Sequence, residues 1–365
     1  MIALPLFAAF LAPPLYSVTI AGLAGIFFLH FGFAKQEPAP KGTSLVLAIW
    51  FAFATLAVLG PTFVSAYSDQ NIDSLKFFVA GFAFFLGAAL GQNNRELRMA
   101  LVAFLVTISF SYFFNPPVID SYVQDRDIYP PDQNHSAAML AIALPIVLLR
   151  FSGWQRLAMF GLMMTFAFLV SSRALLALSV VGLAASPDFI RHRKWIMALA
   201  IPLALAILLF QGFTLNNFSD QLRLQILQVS LSFALTQGLY AFNLGETYFT
   251  NFLNIYPIYR RLEIQHAHNI ILQVWVAYGV TPLIVFLTWI AILVRYAWRG
   301  RSAMFALQLG ALAMFGMIEA MITDIRSFGT VMLFLGAGFA QAANAINARR
   351  KPFNNEPAVS ATALK

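Results

Sequence analysis

Apolar residues run along this chain in long continuous stretches, cut by short polar connectors. The stretches fall at 15–33, 44–65, 75–91, 97–114, 135–149, 155–170, 174–190, 195–211, 269–294, 303–321 and 328–347. A bilayer-crossing helix needs about 20 mostly apolar residues. The stretches do not alternate apolar with polar, so they predict helices and not barrel strands. Residues 2–12, before Pro13 and Pro14, are a candidate twelfth segment, short or re-entrant. The fold class expected is all-α, a polytopic transmembrane helical bundle of 11–12 spans. Four parts follow: N-terminal spans over 1–211, a large loop over 212–268, C-terminal spans over 269–347 and a tail over 348–365.

Composition agrees with the pattern. Of 365 residues, 60% are hydrophobic and 10% are charged, against roughly a quarter charged in soluble domains. One aqueous core cannot hide that much apolar surface, so lipid is the expected solvent. The chain has no cysteine, which excludes disulfides and thiolate metal sites. The N-terminus is apolar without a basic leader region, and no repeat stands out.

A net charge of +8 raises nucleic acid as a partner, but its distribution points to topology. Alternate connectors hold Lys35 and Lys41, Arg95 and Arg98, Arg150 and Arg156, Arg191, Arg193 and Lys194, Arg295, Arg299 and Arg301, then Arg349, Arg350 and Lys351. The intervening connectors are poorer in cations and hold most of the acids. Cation-rich connectors face the cytoplasm by the positive-inside rule. The tail is then cytoplasmic, and the long stretches 115–134 and 212–268 are external. Long loops are where function concentrates, so the outer face is the expected working face.

That face carries the candidate chemistry. Asp132 and Asn134 stand where a span opens, fit either to cap it or to touch a substrate. Arg173 is a lone cation between two spans, and such residues default to function. Residues 222–239 space their apolar positions as an amphipathic helix does, with Arg223 as its one charge. Residues 240–261 hold seven aromatics, read mainly as an interfacial belt and alternatively as sugar-stacking faces. Arg260 and Arg261 break the positive-inside pattern, which fits an anionic ligand or a salt bridge to Glu263. His266 and His268 precede the long span at 269. Histidine exchanges a proton near neutral pH, whereas two histidines at this spacing lack a third metal ligand nearby. Glu319 closes a span, with Asp324 and Arg326 just beyond as charged neighbours.

Arginines suit phosphate oxygens, and there is no Walker loop. A reaction outside the cytoplasm needs a pre-activated donor, and a lipid-diphosphate-linked sugar is one the membrane itself delivers. At this point the chain resembles the O-antigen ligase family, within a superfamily that includes O-antigen polymerases, over roughly 60 to 340. Pro131-Asp132-Gln133-Asn134 with Ala137 is similar to the family's Asp-Pro-Asn segment. Ser172-Arg173-Ala174-Leu175-Leu176-Ala177 is similar to its Ser-Arg-Gly motif. His268-Asn269 with Leu272 and Gly279 is similar to its His-Asn motif. Gln133 and Ala174 depart from the family's proline and glycine.

The resemblance implies a metal-independent, inverting glycosyltransferase of the GT-C type in a bacterial inner membrane, with no cofactor. Its donor would be an undecaprenyl-diphosphate-linked glycan, and its acceptor lipid A–core or a growing glycan. It implies His268 as base and Arg173 and Arg223 on the diphosphate. Charge placement adds Arg260 and Arg261, and Asp132, Asn134, Asn269, Glu319 and Arg326 are expected as supporting residues. The competing expectations are a polymerase of the same superfamily and, from another class, a lipid or glycan transporter. A transporter calls for charges near the midplane and paired broken helices, and the spans are nearly free of charge.

Overall fold

The computed structural model describes residues 40–64, 75–114, 133–169, 172–184, 218–236, 241–261, 264, 266–318, 322 and 324–350, with isolated positions between 17 and 25 and at 198 and 202. Most of the predicted span 15–33, nearly all of 195–211 and of the loop 115–134, and the tail from 351 lie outside the described residues, as do Asp132 and Glu319.

All regular structure among the described residues is helical. The helices are α1 Thr43–Val64, α2 Lys76–Leu90, α3 Asn94–Phe114, α4 Gln133–Arg150, α5 Gly153–Leu169, α6 Arg173–Ala184, α7 Phe218–Thr236, α8 Glu246–Leu253, α9 Pro257–Arg261, α10 Ile270–Tyr278, α11 Val280–Gly300, α12 Ala303–Ile318 and α13 Ile325–Arg350. Among the described residues, three stretches are long and apolar enough to cross a bilayer: Thr43–Pro61 in α1, Val280–Gly300 and Ile325–Arg349. Helices α2, α4 and α12 contain shorter apolar stretches. The molecule is a helical protein of membrane character, in register with the apolar pattern.

Helices α4 and α13 form the centre. Residues 136–148 of α4 are all buried, and α4 is flanked by α5, α6, α12 and α13. Helix α13 packs most extensively on α2. Glycine makes that approach possible. A Cβ at Gly87 would strike the Leu333 carbonyl and one at Gly336 the Phe84 carbonyl, while one at Gly91 would lie 2.6 Å from the Ala337 oxygen. Small residues let backbones touch where lipid offers no hydrophobic drive. One buried amide ties three helices: Gln308 of α12 donates to the Ile142 carbonyl of α4 and the Phe334 carbonyl of α13, each at 3.0 Å. Trp50 of α1 donates to the Phe77 carbonyl of α2 at 2.7 Å and stacks obliquely on Trp289 of α11, with ring centroids 4.6 Å apart.

Helices α7 to α10 form a cap with its own core. Ile226, Phe233, Phe249, Leu253, Tyr259 and Val276 meet inside it. This corrects the reading of the aromatics at 240–261. Phe249 is fully buried and Tyr259 nearly so, and Phe252 lies 4.4 Å from Phe233 between ring centroids. These rings build the cap's interior and form neither belt nor sugar platform; Tyr248 and Tyr256 stay exposed. The amphipathic helix expected over 222–239 is present as α7, and it packs on α10.

The continuous span expected at 269–294 is also corrected. It breaks at Gly279, where φ is 96°, into α10 and α11. Segment 241–245 fills the break. Asn243 N–H donates to the Tyr278 carbonyl at 3.1 Å, Gly245 N–H to Ala277 at 2.8 Å, and Thr281 N–H to the Ala241 carbonyl at 3.1 Å. The Asn243 amide adds a bond to the Val276 carbonyl at 3.0 Å. The carbonyls left open at the end of α10 are thus met by protein, the condition for irregular backbone near a membrane interior. A Cβ at Gly279 would lie 2.8 Å from Phe242 Cα, so glycine is needed both for φ and for space. Apolar periodicity continues across the break, which is why it was invisible as a pattern.

Candidate functional site at the capped end of the bundle

The helix connectivity gives the bundle two ends. At one end α4, α6 and α13 begin, α12 finishes, and the cap sits on α10. Helix α6 packs on α4 and α12, α10 packs on α12, and α4 packs on α12 and α13. The three motif segments, far apart in sequence, therefore lie on helix ends that share one end of the bundle.

Each segment has a local structural reason. Ser172 Oγ accepts from Leu175 N–H at 3.3 Å, capping α6, and Arg173 is the first residue of that helix. Asn269 caps α10: its side-chain oxygen accepts from Ile271 and Leu272 N–H, both at 3.0 Å. Its amide reaches the Met317 carbonyl of α12 at 3.4 Å. His268, just before the cap, holds a left-handed φ of 49°, uncommon for a residue with a Cβ. Its side chain is half-buried. Gln273 steadies the same turn by accepting from Ala267 N–H at 2.9 Å.

At the start of α4, Asn134 and His135 are half-buried. His135 Nδ1 lies 4.0 Å from Asp324 Oδ2. Asp324 caps α13, accepting from Ser327 N–H at 3.1 Å and from the Ser327 hydroxyl, and Arg326 lies 3.7 Å from it. Arg326 is thus engaged by Asp324.

The cap carries the other cations. Arg223 is half-buried on α7, while Arg260 and Arg261 are exposed on α9. The residue before them, Tyr259, has its phenol pushed above the ordinary range by burial and secondarily by Tyr256.

A three-part clamp at this end was not foreseen. Lys76 Nζ donates to both Glu246 oxygens at 3.0 and 2.9 Å, with side chains only 8% and 15% exposed. Tyr278 donates to Glu246 Oε1 at 2.8 Å. The starts of α2 and α8 and the end of α10 are so joined. A saturated carboxylate of this kind holds the cap on the bundle. Its sequence signal was a single acid following Gly245 within an aromatic loop and a single lysine opening a span.

Among the described residues no cluster of histidine and carboxylate side chains has the make-up of a metal site. No protein family matches the chain, and no curated protein is matched by it.

Proposed function

We propose that this protein is a membrane glycosyltransferase using a lipid-diphosphate-linked glycan, and in particular a ligase of the O-antigen type working on the capped, external face. The observation that supports this most is the convergence of the segments at 133–137, 172–177 and 268–272 on one end of the bundle.

In this reading His268 takes the proton from the acceptor hydroxyl as the hydroxyl oxygen attacks the anomeric carbon. The bond to the diphosphate breaks and the carrier leaves with its electron pair. Arg173, Arg223, Arg260 and Arg261 balance the charge growing on the leaving group. Asn269 fixes the turn that presents His268, and Arg326 with Asp324 fixes the start of α13. The polymerase differs only in acceptor, growing glycan in place of lipid A–core. The helix break at Gly279 does not favour a transporter, because protein backbone from 241–245 fills it.

The test is transfer from a lipid-diphosphate glycan by the purified full-length chain in chelator. His268→Ala is expected to lower the rate by about 10²–10⁴-fold. Full activity in that variant, or loss of activity in chelator, overturns the mechanism. Complementation of cells lacking a ligase or a polymerase separates the two acceptors.

A further inference from the structure

The end of the bundle opposite the cap holds a cavity of about 360 Å³. Its walls come from the start of α1 and the ends of α11 and α13. Among the described residues, these are the three helices that contain the bilayer-length apolar stretches. Lys41, Arg295 and Arg299 line it, together with the Asn347 amide and Tyr296. Below them the lining turns apolar, with Leu45, Ile292 and Ile346.

Two features separate these cations from ordinary topology determinants. First, two neighbouring arginines at this end are committed to structure. Arg156 donates to the Phe151 carbonyl from two nitrogens, at 2.8 and 2.6 Å, and Arg98 lies over the Phe151 ring at 5.5 Å. Among the described residues, Lys41, Arg295 and Arg299 meet no carboxylate, and all three are exposed. Second, the wall between them is built. The Tyr296 hydroxyl fills the space a Cβ at Gly42 would take, and Gly42 has φ 98°. The Tyr296 ring also packs on Phe339 of α13 at 4.8 Å. Helix C-termini attract cations in general, but that attraction alone does not gather three of them around a cavity.

We propose that this cavity binds the phosphate headgroup of an anionic phospholipid of the cytoplasmic leaflet. Lys41, Arg295 and Arg299 contact the phosphate, and the acyl chains descend past Leu45 and Ile346. Basic pockets between membrane helices take such headgroups, and arginine meets two phosphate oxygens at once. Leu45 is 53% exposed, which gives the acyl chains an apolar neighbour at the cavity wall. The site stands at the other end from His268, so it does not depend on the glycosyltransferase reading.

The full-length chain in detergent is titrated with phosphatidylglycerol, phosphatidylcholine or inorganic phosphate, and bound molecules are counted by native mass spectrometry. Phosphatidylglycerol is expected to bind, and the pair Arg295→Gln with Arg299→Gln to weaken it about tenfold. Arg295→Lys with Arg299→Lys retains most of the binding. Leu45→Glu, at an exposed position, weakens it without removing a cation. The pair Arg95→Gln with Arg301→Gln, with the same charge loss outside the cavity, leaves it unchanged. Equal binding of phosphatidylcholine, unchanged binding in the glutamine pair, or inorganic phosphate displacing the lipid at millimolar concentration each overturns the proposal.

Discussion

Helices α2 and α13 and the cap α7–α10 are both helix packings within one chain, yet they are held by different means. The α2–α13 contact is backbone against backbone, with glycines under carbonyls and almost no polar side chain. The cap is held from inside by aromatic rings and from outside by polar bonds: the Glu246 clamp, Asn243 on the end of α10, and Asn269 at its start. Where lipid surrounds helices, association rests on close fit. The cap can gain from burying rings, and it needs specific polar bonds to fix its position. The bundle is thus built to be rigid, and the cap to be placed. The candidate chemistry lies where the two meet.

The largest effect is expected from attacking the close fit. Gly87→Leu puts a side chain into the Leu333 carbonyl, which neither helix can avoid without separating. A destabilisation of about 4 kcal/mol or more is expected, at the extreme for a single change. It is measured as loss of monodisperse protein and of thermal stability in detergent. If the variant folds normally, the glycine contacts do not hold α2 to α13.

That contrast also explains what could be read in advance. Continuous apolar runs announce helices, and the boundaries at 44–65, 75–91, 97–114 and 155–170 lie within a few residues of α1, α2, α3 and α5. The cap helix over 222–239 was legible for the same reason. The helix break was not, because Ile270 through Leu293 stays apolar on both sides of Gly279 and only the docking of 241–245 selects the break. Phe249 and Tyr259 were misread because an aromatic at a membrane surface and one in a small core look alike in sequence. At the site, cation placement and the residues before spans were legible one by one. The pairing of Lys76 with Glu246 joins residues 170 apart, and no local pattern encodes it.

The second effect tests the clamp. Glu246→Gln leaves the buried Lys76 ammonium without its counter-charge, and breaking such a pair costs about 3 kcal/mol. Lys76→Met with Glu246→Gln should recover much of the loss, since both charges are then gone. A double-mutant cycle on thermal stability reads the coupling. Additive losses sink the clamp as a fixing device for the cap.

A smaller effect is expected at the break. Gly279→Ala meets both a positive φ and the Phe242 backbone, for about 2 kcal/mol of strain. The loss should be local. Hydrogen exchange is expected to quicken over 241–278 while α4 and α13 keep their protection. Uniform loss across both regions would mean that cap and bundle unfold as one unit.

The smallest effect is the most informative about the site. Asn269→Ala removes two bonds at the start of α10, and loss of an N-cap typically costs about 1 kcal/mol. Asn269→Ser restores the capping oxygen but not the amide that reaches Met317. If Asn269 serves only to fix the turn carrying His268, serine brings back both stability and transfer activity, and that is the outcome expected here. Serine restoring stability but not transfer would move Asn269 from positioning His268 to touching the substrate. The comparison would then shift too, because the cap's polar bonds would belong to the chemistry as well as to its placement.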